Sequence, residues 1–193
     1  MTTAEGLPIL PFASALLWEQ WLFEHHAEID GVWLEVAKKA SGIVSVTHDE
    51  ALDVALCYGW IDGQRKTYDG TFFLQKFTPR RPKSLWSKRN IEKVAKLTAE
   101  GRMQPSGLAE VEAAKRDGRW EAAYDSPKDM VVPEDFLKAL GGNTQAQATF
   151  DILSQSNVYA ICWRLQTAKT PETRKRRFEA MLAMLERGGK IHG

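Results

Sequence analysis

Lys76, Arg80, Arg81, Lys83, Lys88 and Arg89 put six cations into fourteen residues, with Trp86 among them. Side chains of that type at that density suit a phosphate or a carboxylate. Ser84 reads as the N-cap of a helix that follows Pro82, so Arg80, Arg81 and Lys83 would precede the unpaired N–H groups of a helix start. Asp and Glu are the usual residues there, and cations are locally unfavourable unless an anion completes the arrangement. The pattern recurs in "AKTPETRKRR": Thr170 caps, Pro171 is the first helical residue, and the run Arg174 to Arg177 fills the first two turns, with Glu172 alone following the usual preference. Two basic helix starts predict one or two anion sites, drawing on Arg80, Arg81, Lys83, Lys88, Arg89, Arg174 and Arg177. The competing reading is a solvated charged surface in which Lys88 pairs with Glu92 and Lys175 with Glu179.

Aromatic and titratable residues crowd the same region. Trp60 and Trp86 flank a basic hairpin and are candidates to line a pocket with Asp62 and Lys66. Phe72, Phe73, Phe77 and Trp86 alternate with Lys66, Lys76, Arg80 and Arg81, as a single-stranded nucleic-acid platform requires. Against that reading, the formal net charge is only +1 and no recognised reader motif is present. For an enzyme, Asp62 in "GWIDGQ" is a candidate base or ligand, although a salt bridge to Arg65 or Arg81 accounts for it equally well. Cys57 would be nucleophilic only if a cation or histidine lowered its pKa, and His48 is the nearest in sequence. His25 and His26, adjacent on a helix, point about 100° apart and read as surface residues. No H-E-x-x-H spacing, C-x-x-C pair or glycine-rich phosphate loop occurs, so no metal or cofactor is expected. Cys57 and Cys162, both in apolar surroundings, read as buried free thiols.

The charge is unevenly spread. From Asp62 to Arg102 there are eleven Lys/Arg against four Asp/Glu, a surplus of seven in a 193-residue chain of net charge +1, which leaves the remainder at −6. With 44% hydrophobic and 26% charged residues, the chain is an ordinary globular one, long enough for one large domain or two small ones. The N-terminal stretch has no basic n-region and its apolar run is broken by prolines and by Glu19 and Glu24, so it does not read as a signal peptide. No segment approaches the roughly 18 apolar residues of a membrane span. A cytoplasmic location without membrane insertion is the expectation.

The elements that must position these residues follow from periodicity. A helix is predicted over 12–28, a strand within 31–40, and a helix from the capping box Thr47-x-x-Glu50 to Gly59. Asp69-Gly70 signals a hairpin. With a two-residue turn, Tyr68 pairs with Thr71 and Asp62 lies opposite Phe77. That register would place Lys66 with Phe73 and Gln75 on one face, and Arg65 with Leu74 and Lys76 on the other. Helices follow from Ser84 to Gly101 and from about Ser106 to Asp117. After a connector the pattern is all helical, ending in a helix whose Phe178, Met181, Leu182 and Leu185 form one apolar stripe. The expected fold is α+β: a domain over 1–118 with a small antiparallel sheet and the basic hairpin, a connector over 119–132, and a helical domain over 133–193.

In order and spacing, "ALCYGWIDGQRK", "FTPRRPKSLWSKRN", "EGRMQPSGLAEVEAAKRDGRW" and "AKTPETRKRR" resemble the bacterial YdeI/OmpD-associated, or bacteriocin-protection, family. The resemblance runs from about residue 30 to 187, and residues 132–187 are similar to the segment that usually defines the family. It implies a bacterial source and a link to bacteriocin or antimicrobial-peptide tolerance. It carries no established reaction, metal or catalytic residue. The family name points towards an outer-membrane porin, whereas this chain shows no export signal.

The residues and the resemblance together predict a cytoplasmic, non-enzymatic binding protein of stress or bacteriocin tolerance. Its partner would be a small anion or an acidic protein surface. A nucleic-acid binder, or an enzyme using Asp62 or Cys57, are the alternatives. Replacing Arg80 and Arg81 together by Glu is expected to abolish ligand binding and leave the melting temperature nearly unchanged.

Overall fold

The computed structural model describes residues 6–192; residues 1–5 and 193, where the expected domains begin and end, lie outside the described residues. The fold is α+β, with one four-stranded sheet and eight α-helices among the described residues. The chain forms two compact units. The first takes the chain up to Trp86 together with Asn90–Ala122, and the second takes Ser87–Arg89 together with the chain from Ala123 onward.

In the first unit, strand β1 (Ile9–Pro11) runs parallel to β2 (Val32–Ala37), the two being joined through helix α1 (Ala15–His25). β2 pairs antiparallel with β4 (Phe72–Pro79), and β4 pairs antiparallel with β3 (Trp60–Thr67), giving the order β1-β2-β4-β3. Val32, Trp33, Leu34 and Val36 are all buried, so this inner strand shows no alternation between an exposed and a covered side. Ser14 caps α1, accepting from Leu17 N, and the helix inserts Trp18 among Phe12, Trp21, Trp60 and Phe77.

Helix α2 (His48–Cys57) starts from the predicted capping box, with Thr47 and Glu50 exchanging both hydrogen bonds. Its C-terminal end meets helix α4 (Pro105–Arg116) at backbone contact. A Cβ added to Gly107 would stand 2.2 Å from the Cys57 carbonyl oxygen, so only glycine permits this approach.

The hairpin departs from the expected two-residue turn. Asp62 does oppose Phe77, but Arg65 opposes Gln75 and Thr67 opposes Phe73, so a bulge between Asp62 and Arg65 has shifted the register by one residue. The extra residue is accommodated by a wider turn, in which Asp69 Oδ1 accepts from Thr71 N and Phe72 N, each at 2.7 Å. The shift exchanges the outer faces. Arg65 now stacks on Phe73 at 4.0 Å, and Lys66 joins Lys76 over Trp33.

Helix α3 (Lys88–Ala99) begins three residues later than a Ser84 cap would start it. A helix capped by Ser84 would bond the Lys88 N–H to the Ser84 carbonyl. Lys88 N instead donates to Tyr124 O at 2.9 Å, and the Ser84 carbonyl accepts from Arg119 Nη1 at 2.9 Å. Arg80, Arg81 and Lys83 therefore lie in a loop and not at a helix N-terminus.

The second unit packs helices α5 (Glu134–Gly141), α6 (Thr144–Asp151), α7 (Gln155–Gln166) and α8 (Pro171–Glu186) around Phe136, Leu140, Ala146, Ile161, Leu165 and Leu185. The predicted stripe of α8, Phe178, Met181 and Leu182, lies against this cluster with Leu185 inside it. Burying each large side chain contributes roughly 1.5–3 kcal/mol.

Candidate functional site

The basic segment separates into anchors and exposed cations. Strand β4 ends at Pro79, and Arg80 turns inward: only 6% exposed, it places its guanidinium 3.6 Å above the Trp86 ring and donates from Nη2 to the Leu85 carbonyl at 2.7 Å. Trp86, itself buried, packs on Trp120. The next residues form a tight turn, Ser84 N donating to Arg81 O and Arg81 N donating to Ser84 Oγ. That turn exposes Arg81 and Lys83.

Two grooves meet at Arg81. One, of about 400 Å³, is lined by Ile61, Asp62, Gly63, Thr78, Pro79, Arg81, Lys83 and Ser84. The other, of about 640 Å³, shares Thr78, Pro79 and Arg81 and adds Lys76 and Asp30. Pro79 and Pro82 bracket Arg80 and Arg81, Lys83 follows directly, and the two rings limit the loop's freedom. Asp62, near the start of edge strand β3, brings a carboxylate to the first groove, and its Oδ2 lies 3.0 Å from Nε2 of His48, the first residue of α2. The expected partners of Asp62, Arg65 and Arg81, are not the ones it meets: Arg65 is drawn away to Phe73.

Several predicted site residues serve the structure instead. Trp60 is buried, donates from Nε1 to the His26 carbonyl and packs edge-on against Trp18 and Trp21, so it lines no open surface. Lys88 and Arg89 are exposed in the first turn of α3, and Lys88 closes on Asp125, not Glu92, at 2.6 Å. The Lys88 hydrogen bond, followed by that of Gln166, holds the Asp125 carboxyl below the usual range, and Asp125 raises the pKa of Lys88 in return.

Thr170 and Pro171 start α8 as predicted, but Arg174 and Arg177 behind them are engaged by the protein. Arg174 grips Asp135 with both arms, which lowers the Asp135 pKa. Arg177 Nη1 donates to the Arg164 carbonyl at 2.7 Å, near the C-terminal end of α7, where a cation suits the helix dipole. Lys175 does approach Glu179, at 3.9 Å. At the start of α8, Arg174 and Arg177 thus make contacts within the protein, while Arg176 is exposed.

The catalytic alternatives narrow similarly. Cys57 is fully buried and burial pushes its thiol up to about 11, with His48 engaged elsewhere, the opposite of the lowered pKa that a nucleophilic thiolate requires. His25 and His26 are half-buried, against Trp21 and Tyr58, and not surface residues. Phe77 and Trp86 are buried and unable to stack bases. Among the described residues no group of three His, Cys, Asp or Glu could hold a metal, and no helix is long and apolar enough to cross a membrane.

Sequence reasoning missed the His48–Asp62 pair and the anchoring by Arg119. Both depend on which loops fold back on which strand, a long-range fact without a local spacing.

Comparison with known families divides the chain in two. Residues 10–110 match the family described as Domain of unknown function (DUF8412), and residues 129–188 match the family described as Bacteriocin-protection, YdeI or OmpD-Associated. No curated protein and no solved structure matches the chain.

Proposed function

Because this chain belongs to the family described as Domain of unknown function (DUF8412) and carries a bacteriocin-protection, YdeI or OmpD-associated segment, neither naming a reaction, we propose from the groove's chemistry that it is a non-enzymatic binding protein of bacteriocin tolerance, acting in the cytoplasm. Its ligand is a small molecule bearing a carboxylate or phosphate, held at the groove of Thr78, Arg81, Lys83 and Ser84. The observation that carries this reading is the division of the basic cluster. Arg80, Lys88, Arg174 and Arg177 are occupied by internal contacts, while Arg81 and Lys83, on either side of Pro82, line one groove with two hydroxyl side chains. A guanidinium, an ammonium and two hydroxyls supply the donors that an oxyanion accepts from.

Amide-resolved NMR titration of the full chain with acetate, inorganic phosphate and pyrophosphate tests the reading. Saturable shifts confined to residues 60–64 and 78–85, absent in the Arg81→Glu, Lys83→Glu double variant, are expected. Shifts spread without saturation, or unchanged in the variant, would refute the site. Affinity that rises with oligonucleotide length and falls steeply with salt would instead favour a nucleic-acid binder.

A further inference from the structure

A purely anionic ligand leaves one feature of the groove unexplained: Asp62 lines it together with Arg81 and Lys83. Elsewhere this protein closes opposite charges onto one another. Lys88 meets Asp125 at 2.6 Å, Lys93 meets Asp53 at 2.6 Å, Arg174 meets Asp135 at 2.7 Å and Arg119 meets Asp117 at 2.8 Å. In the groove, among the described residues, no salt bridge joins Asp62 to Arg81 or Lys83, although all three line one cavity of about 400 Å³.

Backbone and side-chain placement keep them apart. Asp62 is fixed on edge strand β3 and held by His48 at 3.0 Å, whereas the cations sit on a turn closed by Ser84. A carboxylate in this position repels an anion that carries no positive charge, and it attracts an ammonium. The cavity therefore presents two unlike poles that no salt bridge joins.

Resting on the anion-binding reading above, we infer that the groove takes a small zwitterion, an amino acid or short peptide with free ends. The ligand's carboxylate sits on Arg81 and Lys83, and its ammonium on Asp62. Thr78 and Ser84 offer hydroxyls along the way. No covalent step is involved; selectivity arises because a ligand with one charge leaves the opposite pole of the groove uncompensated.

The test is a set of NMR titrations of the full chain at pH 8 and constant ionic strength, using acetate, ethylammonium, glycine, β-alanine and diglycine. At least one zwitterion is expected to bind about tenfold more tightly than acetate, as one added charge-assisted hydrogen bond implies. Asp62→Asn is expected to remove that gain and to leave acetate binding intact or stronger. Zwitterions no tighter than acetate, with acetate binding still lost in Arg81→Glu, would overturn this inference and spare the anion site. Failure of every probe to bind would overturn both. Should Asp62→Asn fail to fold, the comparison of ligands on the unaltered chain decides alone.

Discussion

Arg174 in the first turn of α8 holds Asp135 in the first turn of α5 through two parallel hydrogen bonds, Nη1 to Oδ2 at 2.7 Å and Nη2 to Oδ1 at 2.9 Å. The pair joins two helix starts. Asp135 offers a negative charge to the positive end of its own helix, and Arg174, set against the dipole of α8, is compensated by that same carboxylate.

Removing this pair lowers the stability of the helical unit modestly, because both side chains are partly exposed. Arg174→Ala is expected to cost about 0.5–1 kcal/mol, the upper part of the range for surface pairs. The pH dependence has a definite sign. The Arg174 hydrogen bond depresses the Asp135 pKa in the folded chain. The pair's contribution is therefore present above the ordinary aspartate value of about 3.9 and is lost as the pH falls from there through the folded value. Urea unfolding of the native chain and the variant at pH 7 and pH 2.5 checks this: the difference seen at neutral pH should be smaller in acid.

The contact of α2 with α4 admits no side chain at position 107. A Cβ there would meet the carbonyl oxygens of Cys57 at 2.2 Å and Leu56 at 2.8 Å, both backbone atoms that cannot rotate away. Gly107→Ala should thus gain no helix propensity and should destabilise by about 2–3 kcal/mol or more, the cost of overpacking a site that cannot relax. Denaturant midpoints give the answer, and a neutral or stabilising result would mean that the two helices can separate.

Much of the architecture was legible because it is written locally. The Thr47–Glu50 capping box, Thr170 with Pro171, and the apolar stripe of α8 are patterns whose physics lies within a few residues. Asp69-Gly70 did mark the hairpin, but Asp62 stands opposite Phe77 as expected only because the bulge offsets the wider turn. What could not be read was any feature decided by a distant partner. Ser84 looks like an N-cap, yet Arg119, 35 residues on, takes its carbonyl and Tyr124 takes the Lys88 amide. Arg80, Arg174 and Arg177 look alike as exposed cations until Trp86, Asp135 and Arg164 are placed beside them. Strand β1 was hidden because three residues, Ile9 to Pro11, the last a proline, carry no period. The candidate site was legible as a region and not as a geometry.

Both thiols should be unreactive in the folded protein. Burial is the main cause that raises the pKa of Cys57, to about 11, and it raises that of Cys162 as well. At pH 8 only about one Cys57 in a thousand is then thiolate, against roughly a quarter for an ordinary cysteine near 8.5. Ellman's reagent is expected to label neither residue on the scale of minutes, and both promptly in 6 M guanidinium chloride. Keeping Cys57 protonated favours the fold below about pH 8.5, and that contribution is lost as the pH rises towards 11. Fast native labelling of Cys57 would reopen a nucleophilic role.

Adjacent arginines should fail in opposite ways. Arg80 is buried, stacked on Trp86 and bonded to the Leu85 carbonyl, so Arg80→Glu puts a carboxylate over the electron-rich ring face and beside a carbonyl oxygen. The expected loss is about 3–5 kcal/mol, comparable to breaking a buried charge interaction from one side. Arg81 is exposed on the turn, where its backbone, not its side chain, makes the structural bonds. Arg81→Glu should shift stability by no more than about 0.5 kcal/mol, as surface changes usually do, and should weaken acetate and phosphate binding at least tenfold. The sequence alone suggested that both substitutions would spare the melting temperature; the burial of Arg80 reverses that expectation for one of the two. Calorimetry of each single variant, paired with anion titration, separates the roles. If Arg81→Glu melted as early as Arg80→Glu, the turn would be part of the core and the groove would lose its cation.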